Sequence, residues 1–209
     1  MGRIYLCMYQ QVFKRSFDLI FALLGLILAF PLLLILCGLI YLETRENPIF
    51  SQRRPGLHEK IFRLYKLKTM NSRTDATGAL LPDAERLTRT GAFIRKTSLD
   101  EIPQLYNVLK GDMSFIGPRP LLIRYLPFYT EQERIRHSVR PGITGLAQVS
   151  GRNTLGWDAR LQKDMEYVEG LSLGMDLRVV ARTILKVLKR SDIVILPTTQ
   201  MIDLDEYRS

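Results

Sequence analysis

The stretch from Leu19 to Leu42, LIFALLGLILAFPLLLILCGLIYL, holds 24 residues without a charge, and nothing else in the chain restricts its folding so strongly. As one helix it measures about 36 Å, against roughly 30 Å of bilayer hydrocarbon. A helix apolar on every side has no face to offer water, so the segment belongs in a membrane. It is longer than the apolar region of a secretory signal, and no A-x-A-like cleavage site follows it. Leu6 stands where an N-myristoylation motif needs Ser or Thr, so Met1-Gly2 supplies no lipid anchor.

Pro31 lies at the centre of the run, where it removes a backbone hydrogen bond and crowds the preceding turn. Gly25 and Gly38 loosen the two halves. Two arrangements compete equally on these grounds: a kinked helix that crosses the bilayer, and a helix-break-helix that enters one leaflet and returns. Arg3, Lys14 and Arg15 precede the run and Arg45, Arg53 and Arg54 follow it. Basic residues on both flanks fit a segment whose two ends face the cytoplasm. The chain divides into an anchor over residues 1–45, a domain over 46–195 and a tail over 196–209 that carries no clear signal.

Past the anchor, PIFSQRRPG and KIFRLYKLKTM read as two short strands around a Pro-Gly turn, a small β-hairpin. Residues 71–92 are polar and lead to a short helix. Ser98 and Glu101 have capping-box spacing, Pro103 suits a first helical turn, and Gly111 suits a stop. Capping accounts for Glu101 and leaves the adjacent Asp100 unexplained. LLIRYLPFY at 121–129 is too short to span and suits an interface. SLGMDLRVVARTILKVLKR is a basic amphipathic helix, fit for a core or for lying in the membrane plane. The result is an α+β chain, mainly helical.

A net charge of +9 asks for anionic partners: phospholipid head groups, nucleotide phosphates or nucleic acid. Cys7 and Cys37 make neither a disulfide framework nor a zinc cluster, and His58 and His137 are not at metal-ligand spacing. Neither a P-loop nor a G-x-G-x-x-G turn is present. Carboxylates and arginines remain, which suit transfer at a phosphate. In GPRP, two prolines without N–H donors frame Arg119, whose planar fork matches a phosphate. RPGITGLAQVSGRN sets glycines around Gln148 and Arg152, as either close backbone approach to a ligand or plain turns would use.

The succession QRRPG, YKLKTM, RKTSLDEIPQLYNVLKGDMSFIGPRP and RPGITGLAQVSGRN, behind an apolar helix with a central proline, resembles the bacterial sugar transferases. The likeness is to the small monotopic phosphoglycosyl transferases and covers nearly all of residues 12–192. It implies a membrane enzyme that moves a phosphosugar from a UDP-sugar to undecaprenyl phosphate, releasing UMP, with Mg2+ as cofactor. By this resemblance Asp100 is the nucleophile and forms an aspartyl-phosphosugar intermediate, and Glu101 helps hold the metal. Arg95, Arg119 and Arg152 become candidates for diphosphate and nucleotide, with Lys66, Lys68, Gln148 and Asp164 as further pocket members.

The resemblance also implies a re-entrant helix broken at Pro31, although Phe30 replaces the serine common before that proline. The expected protein is monotopic in the bacterial inner membrane, with in-plane helices on its phospholipids and a compact catalytic domain facing the cytoplasm. It starts glycan or glycoprotein assembly; the resemblance suggests a modified N-acetylated sugar such as UDP-N,N'-diacetylbacillosamine as donor, the residues leave hexose-1-phosphate and simple N-acetylhexosamine donors open, and no nucleic acid is expected. Two other classes compete: a membrane-anchored nucleic-acid binder, whose binding would fall steeply with salt, and a non-catalytic scaffold, which would release no UMP.

Overall fold

A computed structural model describes residues 9–151, 155–189 and 202–209. Helix α1, Lys14–Thr44, contains Pro31 and stays helical through it, so the expected break is absent from the backbone there. Pro31 lies on an exposed side of the helix and removes only its own N–H. Asp18, Ala22, Leu36 and Ile40 form a buried stripe along α1, while Phe21, Leu28, Phe30, Leu34, Ile35 and Leu42 project outward. One narrow side therefore meets protein and the rest offers lipid an apolar surface.

Both ends of α1 are fastened to the remainder of the chain. Arg15 donates to the carbonyls of Val108 and Leu109 at 2.6 and 2.9 Å, and Lys14 pairs with Asp176 at 2.6 Å. At the other end Glu43 accepts from the backbone N–H groups of Arg89 and Thr90 at 3.0 and 3.3 Å. Arg45 closes α1 in the left-handed conformation, at φ 58°.

The hairpin forms as its alternation predicts, with β1, Ile49–Pro55, antiparallel to β2, Ile61–Leu67. Facing pairs are Phe50 with Lys66, Gln52 with Leu64 and Arg54 with Phe62. Phe62 and Leu64 pack on Ala22, Val108 and Met113, which joins the hairpin to α1. Polar residues then lead to short helix α2, Asp83–Arg86, and to α3, Arg89–Lys96, where the Thr88 hydroxyl accepts from Gly91 N–H at 2.9 Å.

The expected capping box does not form. Ser98 is left-handed, at φ 56°, and caps nothing, Leu99–Glu101 is a single 3-10 turn, and α4, Gln104–Lys110, starts behind Pro103. Glu101 is drawn instead to two cations, a stronger attraction than one backbone N–H offers. Gly111 does end α4, at φ 88°.

A second sheet, parallel β3 (Ser114–Ile116) and β4 (Gly142–Thr144), has no signature in the sequence. A Cβ on Gly142 would stand 2.1 Å from the Gly117 nitrogen, so this contact requires glycine. Tyr125 and Tyr129 of the aromatic segment expected at an interface point into a core with Leu121, Trp157, Leu161 and Leu204. Helices α5 (Leu146–Ser150), α6 (Trp157–Glu169), α7 (Leu173–Lys189) and α8 (Leu204–Tyr207) complete the fold. On α7, Val179 is buried while Leu177, Ile184 and Leu185 are exposed beside Arg178 and Arg182.

Candidate active site

Where β2, the 3-10 turn and the Pro118–Pro120 loop converge, a cleft of about 940 Å³ opens. Lys66 reaches into it from the C-terminal end of β2, the open end of the hairpin, beside its cross-strand neighbour Phe50. Its ammonium lies 2.8 Å from Glu101 Oε1 and 3.3 Å from Asp100 Oδ2. Arg119 Nη2 donates to the same Glu101 oxygen at 3.0 Å. The Asp100 and Glu101 side chains retain 16% and 19% of their exposure, so both are sheltered yet open to a ligand.

These surroundings push the two carboxyls in opposite directions. Burial raises Asp100, and the Glu101 charge adds to that rise, against a downward pull from Lys66. For Glu101 burial also works upward, but Arg119 and then Lys66 overcome it and hold the carboxyl down at about 2. Adjacent residues thus differ in kind: Glu101 is a fixed anion, and Asp100 is the more basic carboxylate. Environments that separate two neighbouring carboxyls assign them different tasks.

Arg119 is held from behind. Arg136 Nη2 donates to the Arg119 carbonyl at 2.7 Å, and its Nη2 and Nε donate to Asp164 Oδ2 at 2.9 and 3.1 Å. Arg136 and Asp164 are almost wholly buried. Asp164, one candidate for substrate contact, therefore spends an oxygen on positioning the loop, though it does line the cleft.

The cleft also collects Lys68, Arg95 and Gln148. Lys68 pairs with Glu46 and donates to Ser72 at 2.8 Å. Arg95 Nε donates to the Thr69 hydroxyl at 2.9 Å. Gln148 gives its amide N–H to the Ile143 carbonyl at 3.0 Å, which leaves Oε1 buried without a partner. Arg152 lies outside the described residues. Sequence reasoning missed Gln52, Arg86, Arg136 and Arg160, which share the cleft. Arg160 and Asp164 stand one helical turn apart, a spacing that could have marked them as one face; nothing local marks Arg136.

Among the described residues no three His, Cys, Asp or Glu side chains gather. Two carboxylates, completed by water and ligand phosphates, are nevertheless a set that magnesium accepts. Asp100 and Glu101 fit such an ion.

The family model for bacterial sugar transferases matches residues 9–190. The chain is 49% identical to an uncharacterized sugar transferase of Bacillus subtilis, over 85% of this chain and 88% of the relative. It is 40% identical to the undecaprenyl-phosphate galactose phosphotransferase of Salmonella typhimurium, over 87% of this chain and 41% of that protein. It is 37% identical to the UDP-glucose:undecaprenyl-phosphate glucose-1-phosphate transferase of Klebsiella pneumoniae, over 85% of this chain and 40% of that one. The chain thus spans about two fifths of the length of the last two.

Proposed function

The chain belongs to the bacterial sugar transferase family, and on that premise we propose that it moves a sugar-1-phosphate from a UDP-sugar to undecaprenyl phosphate. The observation that supports this most directly is the pair Asp100 and Glu101, sheltered in a cationic cleft with opposite shifts in proton affinity.

In this reading an Asp100 carboxylate oxygen attacks the phosphorus that bears the sugar. The bond from that phosphorus to the bridging oxygen breaks, and UMP departs with the electron pair. A phosphate oxygen of the lipid acceptor then attacks the same phosphorus and releases Asp100. A carboxylate approaching a phosphate meets like-charge repulsion, which Lys66 and Arg119 reduce from where they stand. Asp100 and Glu101 would hold magnesium when it is present, and the ion would add to the neutralisation of the phosphate charge. Arg95 and Arg119 are suited to the diphosphate and Gln148 Oε1 to a donor on the nucleoside or sugar.

We hold the anchor to be monotopic. One domain grips α1 through Arg15 near its start and through Glu43 near its end, which favours both ends lying on one side of the bilayer. The basic flanks favour the cytoplasmic side of a bacterial inner membrane, and the exposed apolar residues of α7 suit an in-plane position. Relatives named for galactose and glucose favour a UDP-hexose donor over the N-acetylated sugar expected from resemblance.

The test is UMP release in the presence of undecaprenyl phosphate and magnesium, with UDP-galactose, UDP-glucose, UDP-N-acetylglucosamine and UDP-N,N'-diacetylbacillosamine as donors. Asp100→Asn should abolish release while leaving the protein folded and membrane-bound, and chelation should stop the wild type reversibly. A phosphosugar adduct mapped to another residue would remove Asp100 from its role.

A further inference from the structure

Arg54 is a cation that the scheme above does not use. Side chains alternate along a strand, so Phe50, Gln52 and Arg54 of β1 share one face, and Phe50 and Gln52 line the cleft. Arg54 is half-buried, donates from Nη2 to Gln52 Oε1 at 2.7 Å, and has its Nε buried without a partner. That partner is a neutral amide; among the described residues no carboxylate pairs with Arg54, while Glu101 is already shared between Lys66 and Arg119. Burial, and then repulsion from Arg119, holds the Arg54 guanidinium down at about 10. A sheltered charge with no counter-charge, set near another of the same sign, destabilises a fold. A phosphate offsets both, because each guanidinium fork can donate two parallel hydrogen bonds to its oxygens.

We propose that Arg54, standing behind the cleft-lining Gln52 and acting with it and Arg119, forms a second anion seat at the edge of the cleft, one that takes a phosphate group of the donor or of the lipid acceptor. This rests on the transferase reading for the identity of the ligand, and on geometry alone for the seat.

The experiment compares detergent-solubilised full-length wild type, Arg54→Gln, Arg54→Lys and Arg53→Gln. Arg53 is the exposed neighbour on the opposite face of β1 and serves as the matched loss of charge. Inorganic phosphate is titrated and its effect on Tm recorded. Arg54→Gln should raise the half-saturating phosphate concentration about tenfold, as loss of one charge-assisted contact predicts. Arg54→Lys should fall between it and wild type, and Arg53→Gln should match wild type.

Without phosphate, Arg54→Gln should melt at or above the wild-type temperature, since an unpaired charge has gone. A lower Tm with unchanged phosphate affinity would make Arg54 a structural residue and overturn the proposal. In turnover the KM of one substrate should rise about tenfold with kcat little changed. A rise for the UDP-sugar identifies the donor phosphate and a rise for undecaprenyl phosphate identifies the acceptor; no change in either KM rejects the substrate role. If the wild type releases no UMP from any donor, the transferase reading fails, and the phosphate titration still decides whether the seat exists.

Discussion

At the scale of single residues, the contrast between Asp100 and Glu101 has a measurable consequence. An attacking carboxylate must be ionised, so activity falls as pH drops through the Asp100 pKa. Burial raises that pKa and Lys66 lowers it. Before any metal binds, protonation of Asp100 should therefore lie above the usual aspartate range, and the acid limb of kcat/KM, which reports the free enzyme, should follow it. Lys66→Met should move it to still higher pH, besides lowering kcat by about 10²-fold through loss of charge stabilisation. A limb that stays in place in Lys66→Met would mean that another group sets it.

At the scale of elements, two buried polar side chains have testable consequences, one for how α4 holds β2 and one for stability against pH. Asn107 of α4 is fully buried; its Nδ2 donates to the Arg63 carbonyl at 2.7 Å and its Oδ1 accepts from Tyr65 N–H at 3.1 Å. It serves β2 as a neighbouring strand would. Asn107→Leu leaves two sheltered backbone groups unsatisfied, and should cost about 2–4 kcal/mol in chemical denaturation. His137 is the second. Burial, with help from Arg136, holds its imidazole down at about 3, beside the Tyr129 ring. The native state keeps His137 neutral while the unfolded chain protonates near pH 6.5. Between those values the unfolded state binds the extra proton, so stability declines as pH falls from about 6.5 toward 3, by up to about 1.4 kcal/mol per pH unit. His137→Gln should flatten that slope in denaturation measured across the same interval.

For the whole molecule, the grip on both ends of α1 makes a statement about topology. Val12 and Asn47 are exposed and lie just outside the two ends of the helix. With Cys7 and Cys37 replaced, reporter cysteines at these two positions should be labelled from the same side of the membrane. Labelling from opposite sides would require α1 to cross and would contradict its docking. The helix passes through Pro31 without interruption, so labelling from one side would trace to contacts with the domain and not to a broken backbone.

The sequence determined what depends on local periodicity and composition. An uncharged run of 24 residues read as a membrane element, two short runs around a Pro-Gly turn read as a hairpin, and Gly111 marked a helix end. The motifs and the family resemblance also named eight of the residues that line the cleft, Asp100, Glu101, Lys66, Lys68, Arg95, Arg119, Gln148 and Asp164. Which of these meet was decided by tertiary structure. Glu101 looked like a helix cap until Lys66, from a strand 35 residues earlier, reached its carboxylate. Asp164 was expected to line the pocket and does, but that Arg136, 28 residues away, holds one of its oxygens was not legible. Arg54 looked like a flanking basic residue, and its lack of a carboxylate partner among the described residues emerged only once the hairpin had turned it inward. The physical reason is common to all three: a residue's face follows from its neighbours in sequence, but its charge partner and its proton affinity follow from whichever distant segment packs beside it and excludes water.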